Sequence, residues 1–260
     1  MNVLLLTMDE PMYMPRYLRP VIENYTEDIE RLVIAPHPGE DLATTIQQRY
    51  EMFGLETFVR YGIHFGVGKI LGTLPPAVQT LTGRYHSIRA LCADHGIPVR
   101  VEEDVNSNEF VRRVRALDID LILSISCGQR LSPRLLAVPS EGAINVHGSL
   151  LPKYRGRATA FWVLYHDEEY SGVSAHYMSE DFDDGDIVLQ REFPIEETDT
   201  MNDVYTKIVE TGAEVAQAVI EQVKAGDVTT KPNPSEAGEY RSLPDAEDRA
   251  EFHRRGKAFR

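Results

Sequence analysis

The chain has 260 residues, of which 42% are hydrophobic, 26% charged and 8% aromatic, and its formal net charge is −14. That length can bury a sizeable core as one large domain, with or without a small appendage. The acidic balance argues against a broad nucleic-acid phosphate surface, and no apolar run approaches the ~20 residues of a membrane helix.

The first apolar run, Val3 to Leu6, reads as a strand, and Asp9 and Glu10 just beyond it speak against a secretory leader. Leu32 to Ala35 is a second strand, stopped by Pro36. Residues 38–76 form an insertion with aromatics (Tyr50, Phe53, Phe58, Tyr61, Phe65) and glycines (Gly62, Gly66, Gly68, Gly72 among them), read as a helix plus loop. It either adds a packed helical layer or serves acceptor binding or a homodimer contact, because exposed aromatics favour interfaces. A helix from Arg84 to His95 places Ile88, Leu91 and Cys92 on one face and stops at Gly96. Ile97 to Val101 is a short strand, and Ser107 to Ala116 a capped helix with Phe110, Val111, Val114 and Leu117 facing inward. Ile119 to Ile125 and Ala143 to His147 are further strands. Gly172 to Met178 and Ile187 to Phe193 follow. A long helix spans Thr200 to Ala225, with Val204, Ile208, Val215, Val219 and Val223 inward. Near-continuous apolar strands alternating with helices predict an α/β, Rossmann-like fold: a mostly parallel twisted sheet with helices on both faces. The predicted domain covers 1–226. Residues 227–260 read as an extension: a Thr/Pro/Ser-rich linker, then a locally basic, solvated end.

Cys92 and Cys127 lie far apart with no metal-ligand spacing, so neither a disulfide framework nor a zinc site is expected, and a cytoplasmic protein is. Pro36-His37-Pro38-Gly39-Glu40-Asp41 has the look of a de-N-acetylase metal motif but carries Gly39 where the ligand Asp belongs. Gly62 to Gly68 lacks the spacing of a phosphate loop, and no GxSxG elbow is present.

The chemistry-bearing pattern starts at Asn145-Val146-His147. A period of two puts Asn145 and His147 on one face, at the carboxyl end of a central strand, where open α/β sheets bind ligands. The loop Gly148 to Gly156 follows at once. Asp181-Phe182-Asp183-Asp184-Gly185-Asp186 lies between the next two strands. An amide donates to an oxyanion, an imidazolium does so or shuttles a proton, and a carboxylate orients the imidazole. Such a set suits acyl transfer without a covalent enzyme nucleophile. Each residue alone also has a structural explanation, as a satisfied strand-end polar group or a hydrated turn, and spacing leaves both readings open.

Asn145-Val146-His147-Gly148-Ser149-Leu150-Leu151-Pro152, followed by Asp183-Asp184-Gly185, resembles the signature of the 10-formyltetrahydrofolate-dependent formyltransferases. That family includes methionyl-tRNA, glycinamide ribonucleotide and sugar-nucleotide N-formyltransferases. The resemblance covers about Asp118 to Glu196 and implies a formyltransferase fold. It implies Asn145, His147 and Asp183 as the catalytic set, 10-formyltetrahydrofolate as formyl donor, and no metal. It implies that the pterin lies against Cys127, Gly128, Gln129, Arg130 and Leu131 after one strand and Glu180, Asp181 and Phe182 before the catalytic Asp. Ser149, Lys153, Arg155 and His176 are the candidate acceptor-side residues, the two cations for an acceptor phosphate or carboxylate.

The implied reaction is formyl transfer to a primary amine through a tetrahedral intermediate. The acceptor is left between an amino sugar or other small amine and methionyl-tRNA. tRNA is disfavoured by the negative charge and because the 34 residues 227–260 are too few for the tRNA enzyme's C-terminal barrel. The alternatives are a 10-formyltetrahydrofolate hydrolase, disfavoured because the chain begins directly at a strand, and a non-catalytic folate-binding module.

Overall fold

The computed structural model describes residues 1–37, 47, 50, 58–59, 62–63, 65–75, 78–79 and 83–260. Most of the predicted insertion 38–76 lies outside the described residues. One seven-stranded sheet organises the rest. Its strands are β1 (Val3–Thr7), β2 (Ile29–Ile34), β3 (Val99–Val101), β4 (Leu121–Ile125), β5 (Ala143–His147), β7 (Tyr170–Tyr177) and β8 (Ile187–Pro194), in the order β3-β2-β1-β4-β5-β7-β8. The pairs from β3 to β5 are parallel; β7 and β8 extend the sheet antiparallel. Every residue of β1 and β4 is buried, as expected of strands covered on both faces. A separate two-stranded ribbon joins β6 (Arg155–Gly156) to β9 (Tyr240–Arg241) in parallel.

The helices with bounds among the described residues include α1 (Met14–Tyr25), α2 (Ile88–Asp94), α3 (Asn108–Ala116), α4 (Pro133–Leu136), α5 (Thr159–Tyr165), α6 (Met201–Ala225) and α7 (Ala246–Arg254). Ser87 and Ser107 cap α2 and α3 through side-chain bonds to Ala90 and Phe110 amides, so α2 begins four residues later than the sequence pattern implied. The long helix α6 starts in a Thr200–Asp203 capping box and stops at Gly226, whose φ is 68°. All five of its expected inward residues are buried.

Helix α1 escaped the sequence reading because Pro15 and Pro20 interrupt its pattern. Pro15 sits in the first turn, where an amide would be unpaired anyway. The helix packs on α6, and Gly212 makes room for the buried Tyr17: a Cβ built on Gly212 stands 2.0 Å from the Tyr17 hydroxyl. Gly212→Ala gains roughly 1 kcal/mol of helix propensity. Overpacking against a side chain with no room to retreat costs about 1–3 kcal/mol. The expected net effect is a lower urea midpoint, and a raised midpoint would show that α1 can shift.

Residues 227–260 are largely exposed but are fastened to the sheet and the core at a few points. Lys231 and Ile187 exchange two 2.9 Å main-chain hydrogen bonds. Phe252 is fully buried and stacks on Phe161 with ring centroids 4.5 Å apart; Phe259 joins the same cluster. Composition hid this because two well-placed aromatics, without periodicity, anchor the segment.

Candidate active site at the carboxyl edge of the sheet

β1 has β2 on one side and β4 on the other, so the chain order reverses there and opens a crevice at the strand ends. A cavity of about 590 Å³ occupies that place. It is of the size that holds a drug-sized ligand. Met8 enters from the end of β1, Cys127 from beyond β4, and Asn145 and His147 from β5.

The register of β5 against β7 sets Asn145 directly opposite His176. Ser124 donates to Asn145 Oδ1 at 2.8 Å, which turns Nδ2 toward His176 Nε2 (3.3 Å) and Asp183 Oδ1 (3.5 Å). Asp183 points inward. Its Oδ1 lies 3.4 Å from His147 Nδ1 and 3.5 Å from His176 Nε2, and its Oδ2 accepts the Gly156 amide at 2.8 Å. His147 Nε2 faces the Tyr154 carbonyl at 2.9 Å. Both ring nitrogens of His147 therefore face oxygen acceptors, and the imidazolium can donate to both at once. The His176 Nδ1 faces the Tyr177 carbonyl at 2.8 Å, leaving Nε2 for Asn145 and Asp183.

Asp183 is 8% exposed and His147 7%. Burial pushes the Asp183 carboxyl up. The facing His147 imidazole, the His176 imidazole and the Gly156 amide outweigh it and hold the carboxyl below the ordinary carboxylate range. Its backbone adopts a left-handed φ of 52°. Burial pushes the nearby Cys127 thiol up to about 11, so it is a poor nucleophile at neutral pH.

The two loops expected to hold the pterin meet across the cavity mouth. Arg130 stacks over Phe182 at 5.2 Å, faces the Asp181 carboxylate at 3.5 Å and donates to the Glu180 carbonyl. Cys127, Gly128, Gln129, Arg130, Leu131, Asp181 and Phe182 all line the cavity; Glu180 does not. Gln129 has a framework task. Its buried amide donates to the Pro36 and Glu103 carbonyls and accepts from the Val105 amide. Gly128 leaves space that a Cβ would take from the His37 amide, 2.8 Å away.

Among the acceptor-side candidates, His176 lies at the centre of the site, whereas Ser149, Lys153 and Arg155 are not on the cavity wall. Ser149 is buried and donates to the Lys153 carbonyl at 2.8 Å. The Lys153 ammonium pairs with Glu168 at 3.1 Å. Arg155 donates to the Phe182 and Ser235 carbonyls. These side chains shape the loops that carry the site. Sequence reasoning missed the far wall, formed by Glu10, Tyr13, Arg157, Asn202, Tyr205, Tyr240, Phe259 and Arg260. Tyr13 donates to Asn202 Oδ1 at 2.5 Å and packs edge-on against Tyr205. Nothing in the local pattern of these residues marks them, since α1, α6 and the 227–260 segment meet only in the fold. Among the described residues of the insertion, Lys69 bonds Asp9 at 2.7 Å, and Pro11 lies 3.5 Å from a Cβ built on Gly68. This part of the insertion thus braces the loop that carries Met8 and Glu10.

Among the described residues, no group of three His, Cys, Asp or Glu side chains is arranged to hold a metal ion, and no helix is long and apolar enough to cross a membrane. An amide, an imidazole and an ionised carboxylate on one wall of a ligand-sized cavity make a site that can polarise a carbonyl and relay a proton. Residues 86–220 match the formyl transferase family, and the chain belongs to it. It is 33% identical over 186 residues to the methionyl-tRNA formyltransferase of Clostridioides difficile, a match covering 72% of this chain and 56% of that relative. The chain thus spans little more than half of that relative's length. Among solved structures it is similar to glycinamide ribonucleotide transformylase 1 of Symbiobacterium toebii (TM-score 0.60, 15% identity, 89% of this chain and 91% of that one). It is also similar to a Helicobacter canadensis N-formyltransferase solved with folinic acid and dTDP-3-aminofucose (TM-score 0.60, 16% identity, 93% and 71%). These neighbours share the Rossmann-like fold that the sequence pattern predicted, in the formyltransferase form that the resemblance implied.

Proposed function

We propose that the chain transfers a formyl group from 10-formyltetrahydrofolate to a primary amine. The observation that carries this reading is the convergence of Asn145, His147 and Asp183 on one cavity wall, beside loops suited to a flat heterocycle. The folate is a co-substrate. Loop main chain at 127–131 and 181–182, with the Leu131 and Phe182 side chains, supplies edge donors and acceptors plus an apolar wall for its pterin.

The acceptor nitrogen attacks the formyl carbon, and the carbonyl oxygen gains the negative charge. Asn145 Nδ2 is the donor at hand for that oxyanion, and the His147 Nε2–H becomes a second when the ring turns from the Tyr154 carbonyl. Asp183 orients His147 through Nδ1. As the bond from the formyl carbon to the folate nitrogen breaks, the proton lost by the amine passes to that nitrogen, with the His147–Asp183 pair as relay. The protonated Cys127 thiol leaves direct transfer as the simpler course.

A small acceptor is favoured over tRNA by the chain's charge of −14. Arg157 and Arg260, rather than Lys153 and Arg155, are the acceptor-side cations on the wall. Folinic acid and a dTDP-amino sugar in the Helicobacter canadensis neighbour support a folate donor and make an amino sugar a sensible first probe.

The test is incubation with 10-formyltetrahydrofolate and a panel of amino sugars, amino acids and methionyl-tRNA, with the formylated product and released formate measured separately. Amine-dependent product is expected, and His147→Ala or Asn145→Ala should lower its rate about 10²–10³-fold. Formate release without amine would instead mark a hydrolase. Folate binding with no turnover would mark a binding module.

A further inference from the structure

Residues 231–241 lie beyond the family-matched stretch 86–220, yet they grip the catalytic loop at several points. The Asn233 amide nitrogen donates to the Asp183 carbonyl at 3.0 Å and to the Gly185 carbonyl at 3.2 Å. Both partners are carbonyl oxygens, so the nitrogen end of the carboxamide must face them. Asn233 Oδ1 is buried with no hydrogen-bond partner among the described residues, so this side chain is held through its nitrogen alone. The paired Lys231–Ile187 main chain fixes Asn233 from one side. On the other side Arg155 joins the Ser235 carbonyl to the Phe182 carbonyl, and β9 pairs with β6. β6 in turn supplies the Gly156 amide to Asp183. A Cβ on Gly156 would stand 2.3 Å from the Arg241 carbonyl, so the ribbon closes tightly there.

The bound backbone is one that resists its own conformation. Asp183 holds φ at 52°, the left-handed region that a side chain makes unfavourable. An external bond to its carbonyl is what such a residue needs to stay put. We infer that Asn233 is a positioning residue for Asp183, fixing the 183–185 backbone so that the carboxylate reaches His147, His176 and the Gly156 amide together. The inference rests on the transferase reading only for its kinetic consequence.

The experiment uses the full chain with Asn233→Leu, which keeps the volume and removes the donor, and Asn233→Ala in case leucine disturbs folding. Two quantities are read: formyl-transfer kinetics, and the carboxyl midpoint of Asp183 from ¹³C NMR, assigned with Asp183→Asn. The expected result is a kcat about 10–100-fold lower, the scale seen when an orienting partner of a working residue is removed. The KM for the folate should change less than kcat, because Asn233 bonds neither pterin loop directly. The Asp183 midpoint should rise toward the ordinary 3.8 as the carboxylate leaves its partners. A folded variant with unchanged kcat, or with lowered kcat but an unmoved midpoint, would overturn the positioning role. If the wild-type protein transfers formyl to no amine, the transferase reading fails, and the midpoint still decides the role of Asn233.

Discussion

Asp183→Asn is expected to slow formyl transfer about 10²–10⁴-fold, the range for removing a participant in proton transfer. Asparagine has nearly the same shape, so the amide of Gly156 can keep an acceptor. The charge is lost, however, and with it the anion that faces the His147 ring. One end of the carboxamide must also present N–H groups where a carboxylate met two imidazoles 3.4 and 3.5 Å away. The measurement is the single-turnover rate at saturating folate, with the thermal midpoint recorded on the same preparation. A rate within tenfold of wild type, in a folded variant, would remove Asp183 from the relay.

The same carboxylate makes a statement about acid stability. Its folded value lies below the ordinary 3.8, so its favourable contribution is fully present above about pH 4. That contribution disappears only as pH falls through the folded value. Wild type and Asp183→Asn should therefore differ by a constant amount from pH 5 to 7 as far as this group is concerned.

Phe252→Ala carries the largest expected loss of stability. The ring is fully buried, stacked on Phe161 and 5.2 Å from Phe259. Truncating a buried phenylalanine costs about 3–5 kcal/mol, from lost transfer free energy plus the cavity left behind. Urea unfolding followed by circular dichroism should show a midpoint shift of that size. A loss under about 1 kcal/mol would mean that α7 and the residues after it contribute little to the core. The variant should also weaken substrate binding, since Phe259 and Arg260 depend on this anchor to reach the cavity.

The parallel sheet could be read from the sequence because β1, β4 and β5 are short apolar runs, each followed by a polar stretch that turns the chain. That Asn145 and His147 share a face could be read because strand parity fixes it; that Asp183 meets them came only from the resemblance of its loop, and the fold does bring the three side chains together. The acceptor side could not. Lys153 and Arg155 are cations next to the site in sequence, but Glu168 and main-chain carbonyls claim them in the fold. Arg260 lies over a hundred residues from Asn145 in the chain and lines the same cavity. Periodicity reports burial of one element against a neighbour, so it is silent about walls assembled from α1, α6 and a segment anchored by two aromatics. α5 is a buried run from Thr159 to Tyr165 with polar residues only at its ends, and it offers no alternation to read.

The far wall is fastened to α6 by two main-chain hydrogen bonds, from the Met201 and Asn202 amides to the Ala258 and Phe259 carbonyls. Such bonds make no demand on side-chain identity. Ala258 and Arg260 can therefore change in sequence without disturbing how this end is attached, whereas Phe259 is also held by its ring against Phe161 and Phe252. One border of the cavity can thus be re-surfaced while its fastening stays the same.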